Sequence, residues 1–183
     1  MKSVCRPAVL IALTSGYWLS GCSAETAAAS GPTDDPCALV STGEVRKLFP
    51  GAAAGVRDHI LDKYGIAGCT WDSPSNTVAA QIFQAKGSAE DEARGRMMGS
   101  VDPFKAGAGA KIQYVKLAGL GDEATAVVEP ADAGQGLLSD TAVIAIRHGT
   151  RMAVLSARLL IDGNRAATIK ALEDLGRSAA SRL

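Results

Sequence analysis

Thr141-Ala-Val-Ile-Ala-Ile-Arg147 and Arg151-Met-Ala-Val-Leu-Ser-Ala-Arg158 flank His148-Gly149-Thr150. Two runs rich in Val, Ile and Ala, separated by a short segment with a central glycine, read as a β-hairpin. It is the strongest hairpin signal in the chain. Strands joined by so short a turn pair antiparallel, because a parallel pair needs a long crossover. The kind of sheet follows from this stretch.

Working outward, Ala124 to Glu129 reads as the preceding strand and Lys111 to Leu117 as the one before it. Between them Gly119-Leu120-Gly121-Asp122 suits a tight turn at positive φ, with Asp122 capping it or exposed. Pro130 to Asp140 is a loop rich in Gly and Asp. Nearer the N-terminus, Cys69-Thr70-Trp71 begins a strand, Asp72-Ser73-Pro74-Ser75-Asn76 is dense turn chemistry, and Thr77 to Ala85 returns as a second hairpin arm. Val78, Ala80 and Ile82 share one face of that arm, Gln81 and Phe83 the other.

Three helices are expected. Ser41 and Glu44 form a capping box before Val45, Leu48 and Phe49, and Pro50-Gly51 ends the helix. Ser88 with Asp91 resembles a second start, carrying Ala93, Met97 and Met98. Asp162 can cap a third, in which Ala166, Ile169, Leu172, Leu175 and Ala179 trace an apolar stripe. Residues 52–68 are ambiguous, with Ile60, Leu61 and Tyr64 fitting one amphipathic turn. The order helix, two strands, helix, four strands, helix predicts an α+β fold. Its antiparallel sheet has about six strands and its helices pack on one face, a two-layer sandwich.

The N-terminus has a different layout. Lys2 and Arg6 supply a positive start, Pro7 to Leu19 an apolar middle, and small residues lead to Cys22. A secretory signal has this order, and the apolar run is shorter than the ~20 residues of a spanning helix. Leu19-Ser20-Gly21-Cys22 resembles the bacterial lipobox, in which the cysteine receives acyl chains such as palmitate and becomes the first mature residue. The resemblance implies a signal peptide at 1–21, lipidation of Cys22, and anchoring to the extracytoplasmic face of the cell membrane. A plain signal peptide cut near Gly21 would instead leave Cys22 a free thiol. Residues 22–36, after Cys22 mostly Ala, Ser, Thr, Asp and Gly with two prolines, have little to bury and read as a flexible tether. A single extracytoplasmic domain is expected over 37–183.

Nineteen basic and nineteen acidic residues balance. Loss of Lys2 and Arg6 with the signal leaves the mature form slightly negative, without the basic footprint of a nucleic-acid binder. Aromatic residues make up only 4%, so the core is thin and benefits from a covalent staple. Cys5 leaves with the signal and Cys22 goes to lipid, so Cys37 and Cys69 are expected to pair in an oxidising compartment. A zinc site or redox pair would need closely spaced cysteines.

Asp35-Pro36-Cys37-Ala-Leu, the helix ending at Pro50-Gly51, Gly68-Cys69-Thr70-Trp71 and Gly119-Leu120-Gly121-Asp122-Glu-Ala together resemble a family of actinobacterial lipoproteins. That family is known only as a domain of unknown function. It is similar in layout to extracytoplasmic sensor domains of some mycobacterial membrane kinases and to other envelope lipoproteins. The resemblance spans about Pro36 to the C-terminus and implies fold and location. It carries no catalytic residues.

Catalytic chemistry has few candidates. His59 could pair with Asp58 or Asp62 and a serine, but no Gly-x-Ser-x-Gly elbow presents one, and surface positions are expected for His59 and His148. Gly107-Ala-Gly109-Ala-Lys111 lacks the Gly-Lys-Ser/Thr ending of a phosphate loop. Glu90, Asp91 and Glu92 are consecutive, unlike the spaced ligands of a calcium loop, and suit a helix N-terminus instead. Trp71 either packs over the disulfide or offers an aromatic on a binding face. Neither cofactor nor metal is expected.

The sequence therefore points to a non-enzymatic, membrane-anchored envelope lipoprotein with a sensor-like or accessory binding domain. Its partners would be the bilayer, through Cys22, and an envelope protein, a cell-wall component or a small ligand, with no nucleic acid. The alternatives are an envelope hydrolase acting on cell-wall or lipid substrates, and a purely structural or accessory subunit.

Overall fold

A computed structural model describes residues 33–74, 76–100, 112–129, 140–159 and 165–183. The signal segment, Cys22, the Gly107–Lys111 stretch and Asp162 lie outside the described residues. The elements in chain order are α1 (Pro36–Leu39), α2 (Thr42–Leu48), β1 (Val56–Asp58), a 3₁₀ turn (Asp62–Tyr64), β2 (Ala67–Asp72) and β3 (Asn76–Gln84). They continue with α3 (Ala89–Ser100), β4 (Gln113–Lys116), β5 (Glu123–Glu129), β6 (Asp140–His148), β7 (Arg151–Leu159) and α4 (Arg165–Ala180).

The fold is α+β. Seven strands form one antiparallel sheet in the order β1-β2-β3-β7-β6-β5-β4. The hairpin that decided the sheet lies at its centre, with His148 opposite Arg151 and Gly149-Thr150 as the turn. Sequence reasoning expected about six strands. The seventh, β1, is three residues long and half-exposed, too short for any alternation to show.

The expectation of helices on one face does not hold. In β6 the residues from Ala142 to Ile146 are all buried. Side chains alternate across a strand, so such a run needs cover on both sides. Ala142, Ile144 and Ile146 meet Leu172, Leu175 and Ala179 of α4, in a core shared with α1 and α2. Val143 and Ala145 meet Ala89, Ala93 and Met97 of α3 on the opposite face, together with Val127, Met152 and Val154. Helices thus cover both faces, making three layers.

The expected disulfide is present, joining Cys37 in α1 to Cys69 in β2. Asp35 caps α1 by accepting the Cys37 amide at 2.9 Å, and Pro36 occupies its first turn and is buried. Aspartate followed by proline is a helix-start signal, so the expected tether over 22–36 gives up its last residues to the fold. Arg151 ties them in place. Its guanidinium donates to Thr33 O, to Asp34 Oδ1 at 2.8 Å and to Leu183 O at 2.8 Å. The first described residues and the last therefore meet at one end of the sheet, beside the β6–β7 turn.

The glycine-rich turn locks onto that end. Gly119 and Gly121 both have positive φ. Asp122 donates its amide to Arg147 O at 2.8 Å and accepts the Gly149 amide on Oδ2 at 2.6 Å. The β4–β5 turn is thereby bolted to the tip of the central hairpin.

Candidate functional site

α3 covers only part of its face of the sheet. Its apolar side meets β5, β6 and the first half of β7, held by Ala89, Ala93 and Met97. Beyond it, Thr70, Ala79 and Ser156 stand in one row across β2, β3 and β7, and each is partly exposed. Two recesses lie in the area that α3 leaves open among the described residues. One, of about 390 Å³, is lined by Tyr64, Gly65, Ile66, Phe83, Gln84, Lys86, Glu92 and Arg96. The other, of about 300 Å³, is floored by small and hydroxyl side chains, with Thr77, Ala79, Thr141 and Ser156 beside Arg158.

The larger recess is a groove between the start of α3 and the 3₁₀ turn. Ser88 begins the helix by accepting the Asp91 amide at 3.0 Å, as the sequence suggested. One turn on, Glu92 accepts Arg96 Nε at 2.7 Å, and the Arg96 guanidinium lies 5.2 Å from the centre of the Phe83 ring. The ion pair and the cation–π contact fix Arg96 over the groove floor. Phe83 and Ile66 supply apolar surface, Tyr64 an exposed phenol, and Lys86 an exposed ammonium. Between the two recesses, Gln81 presents a buried Oε1 with no hydrogen-bond partner among the described residues. An apolar floor with a few placed polar groups at its rim is the chemistry of binding, suited to an amphiphilic ligand or side chain.

The sequence candidates fall elsewhere. Trp71 is 1% exposed, and its Nε1 donates to Thr42 Oγ1 at 3.1 Å, so it packs beside the disulfide as core. His59 and Asp62 do meet, at 2.7 Å, but His59 is 74% exposed and among the described residues no hydroxyl bonds its ring. Asp62 is held below the usual carboxylate range chiefly by His59, with Arg57 adding to it against some desolvation. His148 is exposed at the hairpin turn. The acidic triplet has partners of its own: Glu90 pairs with Arg94 at 2.9 Å, Asp91 accepts Ser88 Oγ at 2.7 Å, and Glu92 holds Arg96. Among the described residues no group of His, Cys, Asp and Glu is arranged to hold a metal.

Sequence reasoning missed the groove. Phe83 lies on the face away from Val78 and Ala80, as the alternation along the strand predicts. Nothing local showed that Arg96 would stack on it, since they come together only when α3 crosses back over the sheet. It also missed Glu129, which is 4% exposed at the end of β5 and whose carboxyl burial pushes above the usual range. No family model matches the chain, and no curated protein is significantly similar to it.

Proposed function

We propose that this chain is a lipid-anchored protein of the bacterial cell envelope. Its extracytoplasmic domain binds a small amphiphilic ligand or a partner protein through the groove between α3 and the 3₁₀ turn. The observation that carries binding is the groove itself, an apolar floor at Phe83 and Ile66 rimmed by Lys86, Arg96 and Glu92. Export is supported by the Cys37–Cys69 disulfide, a bond that persists in oxidising compartments. The lipobox-like Leu19-Ser20-Gly21-Cys22 supports the anchor.

The test is crosslinking in intact cells. A photoreactive residue replacing Lys86 is expected to capture a defined adduct. The same residue replacing Lys170, which is 71% exposed on α4, is expected not to. Equal capture at both positions, or none at Lys86, overturns the groove as the binding surface.

A further inference from the structure

Among the described residues four large apolar side chains are strongly exposed, and three of them fall between β1 and the 3₁₀ turn: Val56 at 67%, Ile60 at 75% and Tyr64 at 66%. Ile60 and Tyr64 sit on the loop that joins β1 to β2. Its backbone is well held: Ile60 donates its amide to Asp58 Oδ1 at 2.8 Å, and Tyr64 and Gly65 bond back to Leu61 and Asp62. The loop therefore holds two apolar side chains outward in a set shape. Lys63 accompanies them, its Nζ 4.9 Å from the centre of the Tyr64 ring.

The loop's place in the fold indicates what meets it. In β1, Asp58 pairs with Gly68, so the loop leaves the sheet at the end where Gln84 and His148 flank Arg151. Arg151 holds Thr33 and Asp34 at that end, and Arg57 Nη1 lies 3.9 Å from Asp35. The chain thus joins the domain at the end of the sheet that carries the Ile60–Tyr64 loop. Even fully extended, residues 22–32 span no more than about 40 Å. That is comparable to the width of a domain of this size, so this end stays within about one domain width of whatever holds Cys22.

We infer that the Ile60–Tyr64 loop is a second membrane contact, laying Ile60 and Tyr64 into the headgroup region of the bilayer that anchors Cys22. A tyrosine and an aliphatic side chain beside a lysine suit that boundary: the apolar parts enter, while the phenol and ammonium stay at the polar level. This rests on the proposed lipid anchor and adds an orientation to it. The domain would lie with its 3₁₀ turn against the bilayer and the groove at Phe83 opening just above it.

The test uses the processed, lipidated chain in phospholipid vesicles. With Cys22 acylated and Cys37 bonded to Cys69, an Ile60→Cys substitution supplies the sole free thiol for an environment-sensitive fluorophore. Its emission is expected to shift to the blue and to be quenched by lipids carrying shallow quenchers. A label at Arg158→Cys, exposed at the opposite end of β7, is expected to report water. Tyr64→Ser should weaken the shift at position 60. If mass spectrometry finds the acyl chains on Cys22 while both labels report water, the contact is overturned and the anchor stands. If Cys22 carries no lipid and the chain floats free, the anchor fails and the contact with it. The same blue shift without vesicles would mean that two copies meet at this loop, which also overturns it.

Discussion

Gly121 shows how one missing side chain holds two turns together. It sits at φ 62°, and a Cβ there would lie 2.4 Å from Arg147 O, a backbone atom that cannot swing away. Gly121→Ala is expected to destabilise the domain by roughly 2–4 kcal/mol, through strain at positive φ and loss of the Asp122 contacts. Thermal unfolding of the variant checks this. The Gly-Leu-Gly-Asp turn was legible as a turn needing positive φ, but its landing place on the hairpin was not, since that depends on the register of β5 against β6. Glu44 is a second residue whose partners are distant in sequence. Burial would raise its carboxyl, but bonds from Arg182, then Ser41 and Ser178, outweigh that and bring it down to about 2. Arg182 grips it through two bonds of 2.8 and 2.9 Å, joining α2 to the end of α4. The capping box that places Glu44 was readable from Ser41-Thr-Gly-Glu44; the arginine was not. Because the folded value lies below the unfolded one, the unfolded chain takes up the proton first. The contribution is full above about pH 4.5 and is lost as pH falls towards about 2. Glu44→Gln is expected to lower stability at neutral pH by about 1–3 kcal/mol. It should also flatten the loss of stability in that acid window, as denaturant titrations at several pH values would show.

The two long helices have opposite demands on glycine. In α4 a Cβ on Gly176 would come within 2.9 Å of Ile144 Cδ1, so the glycine lets the helix approach β6 closely. In α3 nothing among the described residues lies within 4 Å of a Cβ on Gly95, which is exposed on the side away from Met97. Gly95→Ala is therefore expected to stabilise by about 0.5–1 kcal/mol, the difference in helix propensity, and to raise the melting temperature. That α3 and α4 lie on opposite faces was implicit in the sequence. The uninterrupted apolar run from Ala142 to Ile146 cannot belong to a strand with one wet face. The short turn dictates only the pairing, and it is the lack of alternation that demands cover on both faces. α1 shows the converse: four residues cannot hold a helix by themselves, and the Asp35 cap and the Cys37–Cys69 bond hold this one. The bond closes a separation of 32 residues, worth ~3–4 kcal/mol on chain-entropy grounds. Replacing both cysteines by serine is expected to lower stability by about that amount. Non-reduced peptide mass spectrometry of the parent chain should recover the two as one linked species.

At the scale of the molecule, the first and last described residues and the Ile60–Tyr64 loop share one end of the sheet, and this arrangement determines what removal of the proposed anchor should do. The groove proposed to bind was invisible in the sequence because it is assembled from α3, β3 and the 3₁₀ turn, which meet only across the sheet. The proposed location rests on the first residues alone, because export and acylation read a linear signal that no fold has to assemble. Acyl chains contribute ~0.8 kcal/mol per buried methylene, so two or more hold a protein stably where one is marginal. Two inserted side chains on a loop contribute far less than one such chain. Cys22→Ala should therefore release the domain from the membrane fraction even with Ile60 and Tyr64 intact. The melting temperature should be unchanged, since the contacts of Thr33 and Asp34 with Arg151 begin well after Cys22. The parent chain should resist extraction by high salt and yield to detergent, as expected of a contact made by hydrocarbon and not by charge. Membrane fractionation with intact mass measurement checks this, and a variant that stays bound with no lipid on residue 22 would show that another part of the chain holds it there.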